Sequence, residues 1–111
     1  MVDEIRRGDV VTVALPAEFG KPRPAVVVQS DLFGVHPTLT VLPLTSTLRA
    51  LPIFRIVVAP TPGNGLHQSS EVMVDKAHTV LRERIGVRLG RLEPTVQREI
   101  DRALAVFLGI V

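Results

Sequence analysis

Cysteine, tryptophan and tyrosine are all absent from the 111 residues of this chain. Without cysteine, the chain cannot form disulfide bonds, thiolate zinc sites or iron–sulfur clusters, and it has no cysteine nucleophile. It also has no apolar run near the ~20 residues that span a bilayer. Its N-terminus is charged where a secretory signal would be apolar. We therefore expect a cytoplasmic protein that does not contact membranes.

A large excess of charge of one sign is also missing, because thirteen basic residues against eleven acidic ones give a net charge of +2. Eleven of the basic residues are arginines, and the pI is 9.9. This is only a weak indication of a polyanionic partner. With 46% hydrophobic and 22% charged residues, the composition predicts one globular domain over residues 1–111. So small a domain gains stability from a partner subunit.

Six segments have the pattern of β-strands, since they are short, β-branched and bounded by proline or glycine. They are residues 9–15, 24–29, 38–44, 53–58, 71–75 and 85–92. The second is apolar on both faces, which predicts a central strand beginning at Pro24. Apolar residues recur at helical spacing between Pro94 and Gly109, which predicts a helix with Phe107 in the core. The fold class predicted is mainly β (α+β), a small SH3-like half-open antiparallel β-barrel with a C-terminal α-helix.

The loop before the second strand contains two cations beside glycine and proline. Arg23 lies between two prolines that restrict the backbone, so its guanidinium is held as a planar charged group that matches a phosphate. Lys21 is the second cation, and Phe19 is the one aromatic side chain placed to stack on a base. Alternatively, Arg23 only pairs with a surface carboxylate such as Glu18 or Asp31.

Three hydroxyl groups and an arginine follow the third strand, namely Thr45, Ser46, Thr47 and Arg49. They could bind a phosphate or a sugar, or they could equally cap the next turn. The three histidines lie far apart in the sequence, without the spacing of metal ligands. No metal site is expected.

Three short motifs occur in a fixed order along the chain. They are Arg7-Gly8-Asp9-Val10, then Arg23-Pro24-Ala25-Val26-Val27, then Val41-Leu42-Pro43-Leu44-Thr45. With these motifs the chain resembles the MazF/PemK toxins of type II toxin–antitoxin modules, which belong to the CcdB/PemK-like barrel superfamily. The resemblance implies a homodimeric endoribonuclease (an mRNA interferase) that needs no metal or other cofactor. Such an enzyme cuts single-stranded RNA by attack of the 2′-OH on the adjacent phosphorus, leaving a 2′,3′-cyclic phosphate.

The same resemblance implies that Arg23 and Thr45 are catalytic. A guanidinium is a poor base near neutral pH, so Glu18 is the expected proton acceptor. The expected RNA contacts are Phe19, Lys21, Ser46, Thr47, Arg49 and Lys76. We also expect a cognate antitoxin, acidic and disordered until bound, to cover the groove at Arg23.

The loop before Arg23 is shorter than in typical members of this family, which leaves an alternative open. CcdB-type toxins share the fold, cut nothing and bind DNA gyrase through their C-terminal residues. Here Leu108 replaces their decisive tryptophan and Val111 is an additional residue. A third possibility is a barrel that only binds a partner through a sheet edge.

Overall fold

The computed structural model describes residues 4–15, 21–51 and 54–110. Within these ranges the chain forms seven β-strands and one α-helix. In chain order they are β1 (Asp9–Ala14), β2 (Pro22–Val27), β3 (Thr38–Thr45), β4 (Arg55–Val58), β5 (Ser70–Met73), β6 (His78–Leu81), β7 (Ile85–Arg91) and the helix α1 (Pro94–Leu108).

The strands form one antiparallel sheet in the order β4-β5-β3-β2-β1-β7. The long strand β3 changes partner along its length, because its first half pairs with β6 and its end pairs with β5. Pro43, which has no N–H to donate, lies between these two pairings. Among the described strands, β4 and β7 form the two ends of the sheet and do not pair. The predicted mainly β fold with a half-open sheet and a C-terminal helix is confirmed.

One strand, β6, was not predicted from the sequence. It has only four residues, and His78 and Thr79 in its first half give no apolar alternation that would mark a strand. The predicted fifth strand, residues 71–75, ends earlier, at Met73. A single turn of 3-10 helix over Val74–Lys76 then leads the chain into β6.

The start of β2 also differs from the prediction. The strand begins at Pro22, so Pro24 is its third residue rather than its first. Pairing with β3 begins only at Ala25, so within the described residues Pro24 is paired with β1 alone. A proline is tolerated there because one side of the strand needs no ladder donor.

Both faces of the central strands are buried, as predicted for β2. One core cluster lies between the sheet and α1 and includes Val26, Leu42 and Ile100. The second cluster, on the other face, includes Val27 and Val41. Burial of each such side chain contributes about 1.5–3 kcal/mol. These clusters therefore hold β2 and β3 in one register. The register fixes the positions of Arg23, near the start of β2, and Thr45, at the end of β3.

Helix α1 begins at Pro94 and ends at Leu108, and the next residue, Gly109, has a left-handed φ of 73°, as is common just after a helix. The placement of Phe107 in the core was wrong, because this side chain is 49% exposed. Its ring centroid is 6.4 Å from that of Phe54, and the last helical turn extends past the buried face at Ile100. No helix in the described part of the chain is long and apolar enough to cross a membrane.

The first strand is tied to the last strand by a buried carboxylate, that of Asp9. Its Oδ2 accepts a hydrogen bond from the backbone N–H of Arg6 at 2.8 Å. Arg91 Nη1 lies 2.9 Å from Oδ1 and Arg88 Nε lies 3.2 Å from Oδ2. The aspartate of the first sequence motif therefore links β1 to β7 through its ion pairs.

Candidate active site

The register between β2 and β3 brings together the two residues predicted to be catalytic. Ala25 pairs with Pro43. Arg23 precedes Ala25 by two residues and Thr45 follows Pro43 by two, so both lie just beyond the paired stretch, at neighbouring ends of the two antiparallel strands.

Arg23 and Thr45 line a cleft of about 680 Å³. Of the predicted RNA contacts, Ser46, Thr47 and Lys76 also line it. Two cations and three hydroxyl groups, drawn from three separate segments of sequence, therefore meet at one concave surface.

Two other predicted residues in the described ranges are not brought to this cleft. Lys21 and Arg49 are exposed and are not among the lining residues. Glu18 and Phe19 lie outside the described residues. A larger cleft of about 1150 Å³ is found elsewhere, next to Arg6 and Arg88, and no predicted site residue in the described ranges lines it. The chemistry of the lining residues, rather than size, identifies the candidate site.

The hydroxyl of Thr45 takes part in a local turn. Its Oγ1 accepts a hydrogen bond from the backbone N–H of Thr47 at 3.1 Å. The turn alternative considered for these hydroxyl residues is therefore realised at Thr45. It does not exclude a second role, because a hydroxyl that accepts one hydrogen bond still has its own proton to donate.

The loop that follows Thr45 is anchored to a buried carboxylate that the sequence analysis did not identify. Glu71, on β5, is fully buried. Its Oε2 accepts hydrogen bonds from the backbone N–H groups of Arg49, at 3.0 Å, and Ala50, at 2.9 Å. The hydrogen bond from Ala50, followed by that from Arg49, lowers the pKa of Glu71 below its ordinary value, although burial opposes this shift.

A largely buried arginine, Arg55, forms ion pairs beside Glu71. Arg55 Nε donates to Asp75 Oδ1 at 3.1 Å, and Arg55 Nη1 is 3.9 Å from Glu71 Oε1. Burial is the largest single effect and raises the pKa of Asp75, but the hydrogen bond from Arg55, a backbone hydrogen bond, the charge of Arg55 and the contact with Lys76 together outweigh it, so the pKa lies below its ordinary value. Lys76 Nζ, 3.4 Å from Asp75 Oδ2, is 58% exposed and remains open to a ligand in the cleft.

Two histidines that the sequence analysis left without a role, His67 and His78, also line the cleft. His78 Nδ1 lies 2.8 Å from the carbonyl oxygen of Lys76. Because a carbonyl oxygen only accepts, this contact places a proton on Nδ1 and makes Nε2 the acceptor in the neutral ring. No local sequence signal identifies either residue, since only the fold brings them near Thr45.

The cleft thus combines fixed donors around a space open to a ligand. An arginine fork and a hydroxyl group can both donate to phosphoryl oxygens, and their charge-assisted hydrogen bonds strengthen as negative charge develops there. Lys76 adds positive charge to the lining. This arrangement suits an anionic chain with repeated phosphates.

Comparison with known proteins supports the same chemistry. The family of PemK-like, MazF-like toxins of type II toxin–antitoxin systems matches residues 6–108. A probable endoribonuclease MazF from Mycolicibacterium smegmatis is 44% identical over 107 residues, which cover 96% of this chain and 98% of that protein.

Solved structures of similar fold agree. An endoribonuclease from a mycobacterial species, in complex with its cognate antitoxin, has a TM-score of 0.77 and 27% identity, covering 96% of each chain. The Mycobacterium tuberculosis toxin MazF-mt6, at 24% identity, has a TM-score of 0.78 and covers 91% of this chain and 96% of its own. At this identity the match with MazF-mt6 shows only that the two proteins share a fold. The matches support the ribonuclease family and not the gyrase-binding alternative. The chain therefore belongs to the PemK-like, MazF-like toxin family of type II toxin–antitoxin systems.

Proposed function

We propose that this protein is the toxin of a toxin–antitoxin pair and acts as an endoribonuclease on single-stranded RNA. The observation that carries the proposal is that Arg23 and Thr45 line one cleft, together with Lys76 and further hydroxyl groups. The relative from Mycolicibacterium smegmatis, a probable endoribonuclease, supports the reaction class.

In the proposed reaction, the 2′-oxygen of a ribose attacks the adjacent phosphorus and the bond from phosphorus to the 5′-oxygen breaks. Arg23 and the Thr45 hydroxyl donate hydrogen bonds to the phosphoryl oxygens, where negative charge gathers in the transition state. Loss of one such donor typically costs ~2.7–4 kcal/mol of transition-state stabilisation. The role of Glu18 as proton acceptor stays a prediction, because this residue lies outside the described ranges.

We propose that the RNA backbone runs along the cleft past Ser46, Thr47 and Lys76, which are positioned to contact phosphates next to the cleaved one. Phosphate contacts of this kind fix the position of the strand without reading its sequence. Contacts from Phe19, Lys21 and Arg49 also stay predictions. The first of these lies outside the described residues, and the other two are outside the cleft lining.

The partners proposed for this chain follow from the family. We propose that residues 1–111 form one domain, that the domain is a homodimer, and that it acts in the cytoplasm, where RNA is available. An antitoxin is proposed to cover the groove at Arg23, and the mycobacterial endoribonuclease solved with its cognate antitoxin supports such a pairing.

The test compares cleavage of a long single-stranded RNA by the wild-type protein and two variants. We expect Arg23→Ala and Thr45→Ala each to lower kcat by roughly 10²–10³-fold, because each removes one donor to the transition state. Matched controls on the exposed part of α1, Arg98→Ala and Thr95→Ala, should cleave like the wild type, since neither lines the cleft.

Wild-type cleavage that survives both cleft substitutions would refute the assigned roles. If the wild-type protein cuts no RNA at any concentration but inhibits DNA gyrase, the endoribonuclease proposal is wrong. The residues from Leu108 to Val111 would then be the ones to substitute, as the gyrase-binding alternative requires.

A further inference from the structure

Thr45 has a strand partner on the side of β3 that faces away from β2. There, Thr45 pairs with Glu71 of β5, and Glu71 pairs in turn with Val57 of β4. Directly opposite residues in an antiparallel pair share a face and have Cβ atoms about 4.5–5.5 Å apart. A fully buried carboxylate therefore stands next to the proposed catalytic threonine.

This carboxylate holds the segment that leaves β3. One oxygen of Glu71, Oε2, accepts hydrogen bonds from two consecutive backbone N–H groups, those of Arg49 and Ala50. Ala50 has a φ of 55°, a left-handed conformation that a residue with a Cβ adopts only at a cost. The surrounding contacts must therefore hold the chain in this shape, and the Glu71 hydrogen bonds are made at that very turn.

We propose that Glu71 is a positioning residue of the RNA-cleavage reaction. By binding the N–H groups of Arg49 and Ala50, it closes the segment of residues 46–50 against β5. Because this segment directly follows Thr45, its fixed shape holds the Thr45 hydroxyl in one orientation in the cleft that Arg23 also lines. This inference rests on the proposed function, since it names a residue that positions the catalytic groups of the same site.

A contribution to stability does not by itself explain why Glu71 is buried. A carboxylate taken out of water is destabilising unless hydrogen bonds compensate, and an apolar side chain of similar size often serves stability as well. Among the described residues, Glu71 Oε1 has no hydrogen-bond partner, and Arg55 Nη1 lies 3.9 Å away. The two N–H groups are therefore the main compensation, and they belong to the segment that follows Thr45.

The test uses two variants that differ in whether the acceptor is kept. Glu71→Val removes it, and we expect kcat to fall by roughly 10–100-fold, since small misplacements of catalytic groups cost this much. KM should change by less than about threefold, because the phosphate contacts of Lys76 remain. Glu71→Gln retains a carbonyl oxygen that can accept the same hydrogen bonds, so it should restore most of kcat.

A matched control separates positioning from a general loss of stability. Ile100→Ala creates a cavity under α1, at a residue that belongs neither to β5 nor to the segment of residues 46–50. At a temperature where both variants are folded by circular dichroism, Ile100→Ala should retain the wild-type kcat. An equal fall of kcat in Ile100→Ala and Glu71→Val, or no rescue by Glu71→Gln, would overturn the proposal.

A measurement on the wild-type protein tests the inference without any cleavage. The amide hydrogens of Arg49 and Ala50 should exchange with solvent at least tenfold more slowly than those of the exposed Ser46 and Leu48. Exchange at the same rate would overturn the proposal even if RNA is cut and even if Glu71→Val does not fold. Conversely, protected amides in a protein that cuts no RNA would refute the proposed function and not the hydrogen bonds.

Discussion

Replacement of Asp9 by alanine should destabilise the protein strongly without altering its chemistry. The carboxylate is almost fully buried and accepts a hydrogen bond from the backbone N–H of Arg6. A hydrogen bond to a charged group contributes about 1.5–3 kcal/mol. The ion pairs to Arg88 and Arg91 count for less, since these arginines are 42% and 43% exposed and water screens them to about 0.5 kcal/mol each.

The expected loss in the free energy of unfolding is therefore about 3 kcal/mol, which for a domain of this size lowers Tm by roughly 13 °C. Asp9→Asn, which keeps an acceptor for the Arg6 N–H, should lose only about 1 kcal/mol. Urea unfolding of the three proteins gives these values directly. Asp9 is not in the cleft, so RNA cleavage at a temperature where Asp9→Ala is folded should equal that of the wild type.

Two results would refute this reasoning. A loss below about 1 kcal/mol in Asp9→Ala would show that the link between β1 and β7 does not depend on the carboxylate. Loss of cleavage in a variant of unchanged stability would place the first sequence motif in the active site.

Two further predictions concern charge. Lys76→Ala should weaken RNA binding and reduce the slope of log K against log salt by about one, because one phosphate contact is lost while kcat is retained; an unchanged slope in filter-binding titrations contradicts this. The folded-state pKa values of Glu71 and Asp75 lie below their ordinary values, so their contribution to stability is complete only above about pH 5 and is lost as pH falls through the folded pKa. Glu71→Gln should then lose stability less steeply than the wild type between pH 5 and about pH 2 in urea titrations, and parallel curves would contradict the assignment.

Much of the fold could be predicted because its local signals are strong. The stretch from Pro24 to Val28 is apolar on both faces, and such a pattern places a strand in the centre of a sheet. The apolar spacing between Pro94 and Gly109 similarly predicted the helix. The spacing could not show where the sheet ends, so it wrongly placed Phe107 in the core.

The candidate site was predicted only in part, because its residues meet through strand register. Motifs in the sequence singled out Arg23 and Thr45, and the pairing of Ala25 with Pro43 explains why they lie together. Nothing local marks Glu71, since its partners are backbone N–H groups more than twenty residues away. The short strand β6, which brings His78 to the cleft, was not predicted because its four residues show no apolar alternation.

The most direct test of the proposed activity is analysis of the ends of the RNA fragments that the purified wild-type protein produces in excess EDTA. Attack by the 2′-oxygen, supported by Arg23 and Thr45, predicts discrete fragments with 2′,3′-cyclic phosphate and 5′-hydroxyl ends, absent from Arg23→Ala. Fragments with 3′-hydroxyl and 5′-phosphate ends, or no cleavage at all, would contradict it.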